Sequence, residues 1–104
     1  MKIAELENNG EIIVKQRTKP LIKKNLCLIK VKYCGICSTD IYRAYGNGAY
    51  DYPLVMGHEI SGIIEDIGTD CDNFTLGDKV SVFPLLPCFE CEQCRKDNYV
   101  LCFN

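Results

Sequence analysis

Four cysteines close together near the C-terminal end constrain this chain more than any other feature. Cys88, Cys91, Cys94 and Cys102 form a C-x2-C-x2-C-x7-C run. Two-residue gaps let consecutive thiolates turn toward one centre, and the fourth returns from a short loop to close a tetrahedron. Four thiolates suit zinc, which is soft enough for sulfur and has no geometric demand from its d-electrons. Three other arrangements compete. A disulfide framework needs an oxidising compartment, yet Met1-Lys2-Ile3-Ala4-Glu5-Leu6 is too polar for the core of a secretory leader. An iron–sulfur site of the bacterial ferredoxin type also begins C-x2-C-x2-C but continues with three residues to Cys-Pro; here seven intervene and Phe103 follows. Free buried cysteines would not cluster in this way. Structural zinc is the expectation.

The chain has eight cysteines and one histidine in 104 residues. That length allows one domain or part of one, too little for a catalytic domain together with a doubly wound nucleotide-binding domain. A hydrophobic fraction of 47% with 25% charged residues describes a folded globular chain. The net charge of −2 supplies no electrostatic reason to bind nucleic acid. No apolar run approaches the roughly 18 residues of a membrane span, so a soluble, cytoplasmic chain is expected.

Patterning indicates strands. Lys2–Leu6 and Glu11–Lys15 flank Asn8-Asn9-Gly10, a hairpin signal. Leu26–Cys34 alternates, with Ile29, Val31 and Tyr33 on one face and Lys30 and Lys32 on the other, which predicts a half-buried strand. His58–Ile67 is rich in β-branched residues, and Lys79–Phe83 alternates again. Ser38–Ala44 reads as a short helix with Ser38 or Thr39 as cap and Gly46 as stop. The basic stretch from Lys15 to Lys24 reads as a solvated loop, with a phosphate patch as the alternative. Pro84 and Pro87 end regular structure before the cysteine lobe, 84–104. Short strands separated by glycine turns make a mainly β barrel or sandwich. No G-x-G-x-x-G segment is present, so no dinucleotide site is expected within these residues.

The other cysteines divide. Cys27 and Cys34 read as small buried hydrophobes and Cys71 as filler in a turn. Cys37, in Cys37-Ser38-Thr39-Asp40, and His58, in Gly57-His58-Glu59, each follow a glycine on separate segments. They could share a metal only through the fold, and His58 taken alone is equally an ordinary polar residue.

These segments carry a resemblance. Gly57-His58-Glu59-x-x-Gly62-x5-Gly68-x2-Cys71 resembles the zinc signature of the medium-chain alcohol dehydrogenases. Cys34-Gly35-Ile36-Cys37-Ser38-Thr39-Asp40 is similar to that family's first catalytic-zinc segment, and Cys88, Cys91, Cys94 and Cys102 match its structural zinc lobe at every spacing. The order agrees, and the resemblance covers essentially residues 1–104. Asn47-Gly48-Ala49, Tyr52-Pro53 and Pro84-Leu85-Leu86-Pro87-Cys88-Phe89 look most like the polyol branch.

The resemblance implies a GroES-like, partly open β-barrel with a zinc-binding loop lobe, the N-terminal part of a catalytic domain. It implies Cys37 and His58 as ligands of a catalytic zinc, with Glu59 beside that metal as a further or alternative ligand. Asp40 would accept the free ring N–H of His58, and Thr39 would hydrogen-bond the substrate hydroxyl unless it serves only as a cap. The parent would oxidise a small alcohol or sugar alcohol, including phosphorylated ones, by hydride transfer to NAD(P). Two departures stand out. Tyr42 occupies the position where many members place a relay histidine. The family's third zinc ligand, last barrel strands and Rossmann domain have no counterpart up to Asn104. The 104 residues alone are therefore expected to hold structural zinc, to hold catalytic zinc weakly or not at all, and to be inactive. A stand-alone zinc-binding interaction module is the alternative, and an open barrel edge predicts self-association. Tyr45, Tyr50 and Tyr52 either rim a polyol pocket or pack on the barrel.

Overall fold

Asn9-Gly10 reverses the chain because Gly10 sits at φ +79°, a conformation open to a residue without a side chain. A computed structural model describes all 104 residues. The turn joins β1 (Lys2–Asn8) to β2 (Glu11–Gln16) in an antiparallel hairpin running from the pair Lys2–Gln16 to Asn8–Glu11, with an irregularity between Leu6 and Asn8. The Gly10 N–H donates to the Ala44 carbonyl at 2.5 Å, tying the hairpin to the helix described below. Leu6 is fully buried and exchanges two backbone hydrogen bonds with Leu54, at 2.8 and 2.9 Å.

Glu5 is buried beside Leu6, against the usual preference for exposure, because Lys15 at 2.9 Å and Arg17 both meet its carboxylate. The Lys15 hydrogen bond is the main reason its pKa lies below the ordinary value. Lys19 pairs with Glu65 at 2.5 Å, and Lys15 also meets Glu7. Of the five cations between Lys15 and Lys24, Lys15, Arg17 and Lys19 each hold a carboxylate. From Arg17 to Lys24 the stretch is an exposed loop, as expected; the correction is that Lys15 lies within β2.

The second sheet is antiparallel in the order β3 (Cys27–Gly35), β4 (Glu59–Ile67), β5 (Lys79–Ser81). Ile64 is its buried anchor. Gly62 lets β3 approach closely, since a Cβ there would lie 2.5 Å from the Lys30 carbonyl oxygen. The expected burial of one β3 face holds only at its start. Irregularities between Leu28 and Ile29 and between Val31 and Tyr33 break the two-residue period, and Val31 and Tyr33 are 54% and 77% exposed. Cys34 is exposed and Cys27 half-buried, so neither is the fully buried hydrophobe that composition suggested. Cys71 lies 4.0 Å from the Lys24 carbonyl, and burial pushes its thiol pKa up.

The two sheets are separate and do not close; the Leu6–Leu54 bridge ties β1 to the segment that leads into β4. This is the partly open, mainly β arrangement that the resemblance implied. Helix α1 (Ser38–Tyr45) follows β3, and the short helix α2 (Glu92–Arg95) and a 3₁₀ turn at Tyr99–Leu101 shape the cysteine lobe. No helix is long and apolar enough to cross a membrane. Only eight residues are buried, Cys94 of the lobe among them. With so thin an apolar core, the lobe has little besides its sulfur cluster to hold it together.

Candidate metal centres

The cysteine lobe turns on backbone donors. The Cys91 N–H reaches the Cys88 sulfur at 3.3 Å, and the Cys88 N–H reaches the Cys102 sulfur at 3.3 Å. Phe89 and Asp97 both adopt φ of +60°, unusual for side-chain-bearing residues, and these tight turns aim the sulfurs inward. Phe89 and Tyr99 stack edge-to-face at 5.7 Å across the lobe. The ligand atoms of Cys88, Cys91, Cys94 and Cys102 all lie within 4.8 Å of one another.

The cluster fits a tetrahedral soft cation. With zinc–sulfur bonds of about 2.3 Å, the edge of an ideal tetrahedron is about 3.8 Å, and Cys88 Sγ stands 3.8 Å from Cys94 Sγ. A disulfide needs about 2.0 Å, and all eight cysteines are free. Acidities point the same way. Backbone N–H groups of Glu90 and Cys91 lower the Cys88 pKa to about 6, and those of Phe103 and Cys94 lower that of Cys91. Cys94 differs: burial raises its thiol to about 12, so a bound cation would have to displace its proton.

The second group forms where β3, α1 and β4 meet. Cys37 is in extended conformation and caps α1, with the Asp40 carboxylate accepting its backbone N–H at 2.9 Å. This corrects the expected cap at Ser38 or Thr39. Thr39 lies inside the first turn instead, with Oγ1 3.4 Å from His58 Nε2. Gly57, at φ +110°, turns the chain immediately before His58. Glu59 is the first residue of β4. The structure brings Cys37, His58 and Glu59 together, their ligand atoms within 4.8 Å of one another. The Thr39 hydroxyl, its backbone N–H and then His58 lower the Cys37 pKa to about 7.

Asp40 Oδ1 faces His58 Nδ1 at 3.4 Å, and both atoms are buried without another hydrogen-bond partner. A buried carboxylate aimed at an imidazole in this way orients the ring so that Nε2 carries the free lone pair. A thiolate, an imidazole and a carboxylate converging on one point suit zinc with room for a further ligand. Beside the site runs a mostly apolar groove of about 430 Å³, lined by Ile12, Cys34, Ile36, Ile41, Tyr45 and Met56 among others.

Tyr42, which stands where a relay histidine is common, lies over Gly46 and Gly48. Tyr45 borders Gly10, and Tyr50 sits under the Arg43 guanidinium at 5.7 Å. Sequence reasoning did not single out Arg43. Its three-residue offset from Asp40 along a helix was the available signal.

The fold and these two clusters define a class. The chain belongs to the alcohol dehydrogenase GroES-like domain family, whose sequence model matches residues 23–104. Its relatives include galactitol 1-phosphate 5-dehydrogenase of Escherichia coli K12, 38% identical over 103 residues, and sorbitol dehydrogenase of Bacillus subtilis, 37% identical over 106. Each alignment covers 98% of this chain and 30% of the relative. Among solved structures, galactitol-1-phosphate dehydrogenase from Escherichia coli superposes with a TM-score of 0.96 at 37% identity, covering 100% of this chain and 30% of that one. A thermostable alcohol dehydrogenase from Pyrobaculum aerophilum, described with bound cobalt and zinc, superposes with a TM-score of 0.89 at 27% identity, covering 99% and 32%. The chain thus spans about 30% of the length of the relatives it matches.

Proposed function

We propose that these residues form the metal-binding part of the catalytic domain of a zinc-dependent dehydrogenase that oxidises a sugar alcohol or its phosphate with NAD(P). The observation that carries the reading is the convergence of Cys37, His58 and Glu59, from two segments distant in sequence, with Thr39 beside them. The relatives' names supply the substrate class. A second, structural zinc would sit among Cys88, Cys91, Cys94 and Cys102.

Zinc held by Cys37 and His58 supplies a Lewis acid that makes a substrate hydroxyl more acidic. This chain's residues do the remaining work. Asp40 fixes the His58 ring, so that Nε2 faces the sulfur of Cys37. Glu59 offers a carboxylate at the same centre. Thr39 Oγ1 would hydrogen-bond the substrate hydroxyl, take up its proton and release its own hydroxyl proton toward solvent. Tyr42 would not buffer that proton near neutral pH, since a phenol titrates near 10.

The test has two parts. Cobalt titration of the chain should show a tight four-thiolate class, and any weaker class should be removed by Cys37→Ser without affecting the first. A chimera joining this chain to the part of the Escherichia coli galactitol 1-phosphate enzyme that it does not cover should reduce NAD with galactitol 1-phosphate or sorbitol. Activity that survives Cys37→Ser and Thr39→Ala in that chimera would refute the reading.

A further inference from the structure

Asp40 is committed twice. Its Oδ2 accepts the Cys37 backbone N–H at 2.9 Å, which closes the start of α1. Its Oδ1 is buried, with two groups facing it: His58 Nδ1 at 3.4 Å and the Arg43 guanidinium, Nη1 at 3.9 Å. A carboxylate whose side chain is only 8% exposed needs a neighbouring cation. Arg43 is the one that α1 supplies, a single turn further along the helix. Its side chain is 28% exposed, whereas Lys19 and Lys96, in surface pairs, are 60% and 59% exposed. The ring of Tyr50, itself 90% exposed, stands 5.7 Å from the guanidinium carbon.

We propose that Arg43 is a positioning residue for the Cys37–His58 centre: its guanidinium holds the Asp40 carboxylate in the orientation that receives the Nδ1–H of His58 and leaves Nε2 facing the metal centre. This rests on the reading of that centre as a metal site. A planar, always-charged group suits the role, because it can hold its place beside the carboxylate while stacked on an aromatic ring. Residues that orient metal-ligating histidines typically change metal affinity 10- to 100-fold when replaced. Arg43 acts one contact further out, so an effect of about tenfold is expected.

His58 is the only histidine, so its ring nitrogens can be read without overlap. The experiment records long-range ¹H–¹⁵N spectra of metal-free protein at pH 7.5 for wild type, Arg43→Gln and Arg43→Lys. Cobalt affinity at the Cys37 centre is measured in parallel, with the four-cysteine lobe filled with zinc. Wild type should show the Nδ1–H tautomer. Arg43→Gln should mix in the Nε2–H form and weaken cobalt binding about tenfold, and Arg43→Lys should recover part of both. Zinc binding at the lobe should not change. The same tautomer and the same cobalt affinity in Arg43→Gln would overturn the proposal. Should wild type bind no cobalt at Cys37, as the missing third ligand allows, the tautomer comparison alone decides the role of Arg43, and the chimera described above decides the metal reading. Should circular dichroism show that Arg43→Gln is unfolded, Arg43→Met takes its place: a shifted tautomer supports the proposal, and an unchanged one overturns it.

Discussion

Replacing Gly57 by alanine should disturb the Cys37–His58 centre without touching any ligand. Two costs arise, and they can be separated. Gly57 sits at φ +110°, where a residue with a side chain is strained by about 1–3 kcal/mol. The new Cβ would also lie 2.6 Å from Cys34 Sγ, well inside contact distance, and overpacking of that kind costs about 1–3 kcal/mol. The sum, about 4 kcal/mol, is a large part of the 5–15 kcal/mol that stabilises an ordinary domain. Gly77 provides the control. It has φ +92° but nothing within 4 Å of an added Cβ, so Gly77→Ala should carry the conformational cost alone. Urea unfolding at fixed zinc should place Gly57→Ala about 2 kcal/mol below Gly77→Ala. Cys34→Ala, a change at an exposed residue, should return most of that difference in the double variant. Because Gly57 immediately precedes His58, cobalt affinity at the centre should fall along with stability. If the two glycine variants unfold within about 0.5 kcal/mol of each other, or if Cys34→Ala restores nothing, the steric argument fails.

Removing zinc with a strong chelator should cost the lobe its structure while the hairpin keeps its amide protection, because residues 84–104 bury little apolar surface; hydrogen exchange resolved along the chain reads this. Zinc entry should release a proton from Cys94 throughout pH 7–9, because burial holds that thiol near 12, and unbuffered titration measures it. In metal-free protein, alkylation of Cys37 should accelerate as pH rises through about 7, where its thiolate forms; a peptide-mapped midpoint near 9 would remove the assigned influence of Thr39 and His58. Glu5 has a lowered pKa, so its contribution to stability is present above about 4.5 and is lost as pH falls further; Glu5→Gln should flatten that acid limb in thermal melts. The exposed Val31 and Tyr33 on β3 should promote self-association, seen as a rise in sedimentation coefficient with concentration.

Much of this molecule can be read from local chemistry. The hairpin at Asn8-Asn9-Gly10, the strands around Ile29, Ile64 and Val80, and the sulfur cluster from Cys88 to Cys102 follow from turn residues, β-branched runs and spacing, all of which act within a few bonds. The cysteine lobe is the clearest case, because its ligands need no distant partner to converge. The Cys37 centre is different. Cys37 and His58 are 21 positions apart, and only the pairing of Gly35 with Glu59 across β3 and β4 carries one to the other. No spacing rule contains that register. Tertiary structure also decided that Cys37 caps α1, which leaves the Thr39 hydroxyl free to turn toward the imidazole. It decided that Cys34 is exposed, that Lys15 and Arg17 serve a buried Glu5, and that Arg43 faces Asp40. Each of these depends on which charges and cavities the fold brings within a few ångströms, and Coulomb and contact forces act on that distance rather than on separation along the chain.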